Sequence, residues 1–121
     1  MEKHSAVEQI LKKMAEGLGE EPKPMVLLSK LVPEMIPKQA EDRKFVMELP
    51  TIPPKYKHLI MIAVAAAVSS HLCTETFVKI AHRAGVSKEE IAEAIITARF
   101  ALASTTFASA VEGMEYLTSA S

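Results

Sequence analysis

The chain has 121 residues, 49% of them hydrophobic and 24% charged, with 14 Lys and Arg against 15 Asp and Glu for a formal net charge of -1. That is the length of one domain with a real core and the composition of an ordered globular chain; it lacks the basic field that would recruit nucleic acid or an anionic membrane, so neither partner is expected. One cysteine cannot close an internal disulfide, and a reducing, cytoplasmic setting is the expectation.

The opening "MEKHSAVEQI" carries acidic residues and no apolar h-region, so no signal peptide is expected. Ser5 followed by Glu8 reads as a capping box, and Val7, Ile10, Leu11 and Met14 recur at helical spacing. A first helix is predicted from Ser5, stopping at Gly17 and Gly19. All seven prolines, Pro22, Pro24, Pro33, Pro37, Pro50, Pro53 and Pro54, fall in the next stretch, which predicts short helices over 24–31 and 34–47 and no long one.

Pro54 suits the first turn of a helix, and 55–68 reads as a long apolar one. Its run "LIMIAVAAAV", residues 59–68, covers only about 15 Å, half a bilayer core. Leu59, Ile60, Met61, Ile62, Val64 and Val68 leave this helix almost no polar face. A helix apolar all round must be covered on every side, and a domain this small has few helices to spare, so a homo-oligomer with helical interfaces is expected.

Ser69 and Ser70 predict a break, then a helix over 71–84 closed by Gly85. Ser87 and Glu90 form a second capping box, opening a helix from 88 to about 103. The "STT" at 104–106 predicts a last break, with a closing helix to about 118. No segment sustains period-two alternation, so residues 1–121 are expected to form a single all-α domain of about six or seven helices.

The chemistry centres on Cys73. With Ser70 as the cap, Cys73 takes the third helical position, where free backbone N–H groups and the helix dipole favour an anion, and the thiolate is the nucleophilic form of cysteine. Against this stands a packing reading, since Ser70, Cys73, Phe77, Ile80, Ala81 and Ala84 share one stripe and free cysteine often serves as a small apolar core residue. His71 and Cys73 point about 200° apart on a helix and should not meet. His71, Glu75, Val78, Lys79 and His82 share the opposite side, which reads as a solvated or interfacial face. His58, among apolar neighbours, is a buried base or a hydrogen-bonded core histidine. Neither a metal signature nor a phosphate-binding glycine loop is present, so no metal or cofactor is expected.

From about residue 52 to 118 the chain resembles the carboxymuconolactone decarboxylase and alkylhydroperoxidase-D-like family. The stretches that carry the likeness are "IPPKYKHLIMIAVAAAV", the cysteine segment "SSHLCTETF", "AGVSKEEIAEAI" and the small-residue helix that follows. The resemblance implies an alkylhydroperoxidase-D-like helical fold assembled as a trimer or hexamer. Its thiol-dependent branch uses a Glu, a Cys-x-x-Cys and a His; in this register those positions hold His58, Ser70, Cys73 and Phe77, so Cys73 alone keeps the family's residue.

Three readings follow from the resemblance. In the first, Cys73 is the catalytic thiol of a single-cysteine peroxide or thiol redox activity of antioxidant type, assisted by Ser70 and His58, with a small thiol or redox protein as external reductant. In the second, the chain is a non-catalytic or ligand-binding homo-oligomer that retains the fold. The third is a lactone decarboxylase or isomerase using His58 or His71 as acid or base.

Overall fold

In the computed structural model, which describes the backbone of residues 2–121 and the side chains of residues 5–121, every regular element is helical. The elements are α1 (Glu2–Leu18), α2 (Lys23–Leu31), α3 (Met35–Glu48), α4 (Pro54–Ala67), α5 (His71–Arg83), α6 (Lys88–Ser109) and α7 (Val111–Ser119). The all-α expectation, the helix count and the boundaries set by Pro54, Ser70, Gly85 and Ser87 hold.

Two expected boundaries do not. Ser5 lies inside α1, which begins at Glu2; the residues ahead of it are compatible with helix, so a serine there caps nothing. The "STT" break is also absent, because α6 continues to Ser109. Ser104 Oγ donates to the Phe100 carbonyl at 3.0 Å and Thr105 Oγ1 to the Leu102 carbonyl at 2.6 Å. Hydroxyls satisfied by the preceding turn leave the helix no reason to stop.

The centre of the fold is α4, packed against α5 on one side and α6 on another. Ile62 of α4 is fully buried, joined by Ala81, Val86 and Ile91, with Leu59, Phe77 and Val78 packed around them. Two tight chain reversals hold α4, α5 and α6 together. After α4, Ser69 takes φ 60, its N–H donating to the Ala66 carbonyl and that of Ser70 to the Ala65 carbonyl. After α5, Gly85 takes φ 100, with Gly85 N–H donating to His82 and Val86 N–H to Ala81. Both are Schellman endings, and in the second the apolar contact between Val86 and Ala81 belongs to the core itself. Ser87 then starts α6 with both arms of its capping box formed, each at 3.0 Å.

α1, α2 and α3 pack together beside this centre. The tie to α4 is Lys57, only 7% exposed, whose Nζ donates to the carbonyls of Leu49 at 2.6 Å and Met47 at 3.2 Å. An ammonium at the last carbonyls of α3 satisfies acceptors that the helix leaves open and complements its dipole.

The far end of the chain is different. α7 packs on α6, and the second half of α6 with α7 forms an arm whose side chains are almost all exposed, including Phe100, Phe107 (74%) and Leu117 (72%). Ile60, Val64 and Val68 of α4 are also uncovered. Among the described residues α6 is the one helix long and apolar enough to cross a membrane by length and composition. Within α6 only Ile91 and Ala98 are buried, while Ile95 and Ile96 are exposed, and Glu90 pairs with Lys55 at 2.6 Å.

Candidate functional site

Cys73 stands in the first turn of α5. Ser70 precedes it in extended backbone (φ -86, ψ 93), as an N-cap residue should, but its hydroxyl makes no capping hydrogen bond. The first bond of the helix runs from Thr74 N–H to the Ser70 carbonyl at 2.9 Å, reinforced by Thr74 Oγ1 at 2.7 Å. The N–H groups of residues 71–73 therefore lie ahead of the hydrogen-bond ladder, at the positive end of the helix.

The thiol is exposed, which corrects the packing reading: Cys73 is no part of the core. It lines a cavity of about 350 Å³. Leu72, Thr76 and Phe77 of α5 form one wall, and Leu18 with the α1–α2 connection and Met25 form the other. Most of that lining is carbon, from Leu18, Pro22, Pro24, Met25, Leu72 and Phe77, with Glu20, Glu21 and Lys23 on the connecting loop. Phe77 faces this space and also packs against the core cluster, so it fixes the floor of the cavity. Sequence reasoning did not foresee the opposing wall, because nothing local in residues 18–25 records that they face α5.

Ser70 shares the turn of Cys73 but is not among the cavity's lining residues. His58 is elsewhere. It is buried in α4 and lines a second cavity, of about 500 Å³, with Glu16, Gly17, Arg43, Ile80, Arg83 and Ala84. Ile80 and Arg83 belong to the last turn of α5, about 10–15 Å along the axis from Cys73. Within one protomer the three candidate residues are thus not one constellation. Burial, with the nearby Arg43 charge as a smaller contribution, holds the His58 imidazole below its ordinary value and favours its neutral form.

On the polar side of α5 His71, Glu75 and His82 are exposed and Lys79 Nζ sits 2.8 Å from Glu75 and 2.6 Å from Glu20 across the gap to the α1–α2 connection, whereas Val78, expected on the same side, packs against the core cluster. Among the described residues no group of three or more His, Cys, Asp or Glu is placed to hold a metal ion.

Residues 41–115, more than half of the chain, match the model of the family described as "Carboxymuconolactone decarboxylase family". No curated protein matches the chain.

Proposed function

The chain belongs to the carboxymuconolactone decarboxylase family, and from that premise we propose that it is a single-thiol reductase of small hydroperoxides, with Cys73 as the catalytic residue. The observation that carries the reading is the placement of an exposed thiol at the N-terminal turn of α5, on the wall of a largely apolar cavity. That surface suits a hydroperoxide with a hydrocarbon body, and the unbonded N–H groups of the turn can donate to a peroxide oxygen beside the sulfur.

The chemistry balances without a second cysteine. The Cys73 thiolate attacks the outer peroxide oxygen, the O–O bond breaks, and the alcohol leaves after taking a proton, with the sulfur oxidised to sulfenic acid. A small-molecule thiol then condenses with the sulfenic acid, releasing water and forming a mixed disulfide. A second thiol displaces Cys73 from it and carries away the disulfide, restoring the thiol. Ser70 contributes the carbonyl that starts α5, and His58, at the far end of the helix, takes no part within the same protomer. The deciding measurement is consumption of an organic hydroperoxide in the presence of excess dithiothreitol. Cys73→Ser is expected to reduce turnover to the uncatalysed rate, and unchanged turnover would overturn the reading.

A second reading is supported by Phe77. Its ring stands where the family's thiol branch has a histidine and cannot move a proton, so the same cavity suits passive binding of an apolar molecule. Saturable displacement of an apolar fluorescent probe, equal in Cys73→Ser and in the wild type, together with no peroxide consumption, would favour it.

Self-association belongs to the proposal as well. The bare apolar side chains of Ile60, Val64 and Val68, and of the α6–α7 arm, support cover by further copies of the chain. Arg99, Glu112 and Glu115, interleaved along the arm, favour a protein surface over lipid.

A further inference from the structure

We propose that the cavity around His58 is a binding site for a small oxyanion, a carboxylate or a phosphate, held chiefly by Arg43 with His58 and Arg83 beside it.

Three helices converge there: α1 brings Glu16 and Gly17, α3 brings Arg43, and α5 brings Ile80 and Arg83 with Ala84 just past its end, while His58 faces them from α4. Arg43 is the anomalous member. Its side chain is only partly exposed, burial lowers the affinity of its guanidinium for its proton, and among the described residues it makes neither an ion pair nor a side-chain hydrogen bond. A guanidinium half out of water without an acceptor is a costly arrangement, and an oxyanion in the adjoining space supplies the acceptor in a geometry the planar fork matches.

The other polar groups are consistent with this. Arg83 spends one nitrogen on the Glu16 carbonyl, 3.0 Å from Nη2, and keeps the rest of its fork available. With His58 neutral, the two arginines outweigh the Glu16 carboxylate, so the cavity carries net positive charge. The volume of about 500 Å³ admits a small organic acid or a phosphate monoester with its oxyanion against Arg43. This site is separate from the Cys73 cavity, and its occupancy is independent of thiol chemistry.

The charged groups facing His58 are Glu16 from α1, Arg43 from α3 and Arg83 from α5. A bound anion adds negative charge among them and favours imidazolium. Anion affinity therefore rises as pH falls through the His58 titration, and the His58 midpoint rises when anion is bound.

The test is to follow the His58 ring C–H resonances by NMR while titrating the full chain, at constant ionic strength, with inorganic phosphate and separately with acetate. A saturable shift with at least one anion, and an upward move of the His58 midpoint in its presence, are expected. Response to phosphate alone would identify a phosphoryl ligand, and response to acetate a carboxylate. Arg43→Gln should weaken binding about tenfold or more, and Arg43→Lys should retain part of it. Absence of a saturable shift with either anion, or equal affinity in a folded Arg43→Gln variant, would overturn the proposal. Should Arg43→Gln fail to fold, the wild-type titration and Arg43→Lys still decide.

Discussion

The guanidinium of Arg83 lies over the backbone of Gly19: a Cβ at Gly19 would come 2.8 Å from Arg83 Nη1 and 3.1 Å from Nε. The chain turns there with Gly19 at φ 85, and Arg83 reaches from α5 to close the end of α1 through the Glu16 carbonyl. Gly19→Ala is therefore expected to destabilise the protein by about 1–2 kcal/mol, mostly from the left-handed backbone, since the tip of Arg83 can swing aside. Urea unfolding checks this. In an Arg83→Ala background the same substitution should cost only its backbone share, so equal costs in both backgrounds would mean the contact contributes nothing.

Ser69 occupies the same backbone region without the freedom of glycine. Ser69→Gly should stabilise the protein by about 0.5–1 kcal/mol, whereas Gly85→Ala, at the equivalent place after α5, should cost about 1 kcal/mol. Thermal melts of the two variants, with opposite signs of the change in Tm, are the measurement.

Glu90 is held down to about 2, first by its hydrogen bond to Lys55 and then by the Ser87 backbone N–H. A carboxylate whose folded value lies below its unfolded one stabilises the fold above the unfolded value, near pH 4.5, and loses that contribution as pH falls toward 2. The stability gap between the wild type and Glu90→Gln should be present at pH 6 and close between about pH 4.5 and pH 2. A gap independent of pH would show that the charge is irrelevant.

Phe107→Glu combined with Leu117→Glu places charge on the bare arm. If copies of the chain cover it, self-association should weaken at least about 30-fold, seen as a fall in mass by light scattering, with far-UV circular dichroism unchanged. An unchanged mass would remove the arm from any interface.

The helical frame was legible wherever one residue admits a single local use. Pro54, ahead of an apolar run, suits the first turn of a helix and no later one, Gly85 supplies a left-handed ending, and the Ser87–Glu90 pair forms its box as spaced. Hydroxyl residues were misread where they have two uses. Ser5 and Ser104–Thr106 carry the same local signal as Ser70 or Ser87, yet they lie within helices, and bonding back to the preceding turn is invisible in sequence. The site was legible along one helix and not between helices. Ser70, Cys73 and Phe77 fall where helical spacing puts them, but the loop facing Cys73 and the Arg43 facing His58 are set by how α1 and α3 dock. Lys57, one of two lysines in the polar first turn of α4, gave no hint that it ties α4 to the end of α3.

The arm of α6 and α7 has one more implication. Residues such as Ile62 and Ala81 are fitted to one another, so their shapes can be explained from inside the protomer. Phe100, Phe107 and Leu117 have no such internal reason to be large and apolar. On the proposal that further copies of the chain cover the arm, their identities are the cast of a surface that lies against the protomer from outside.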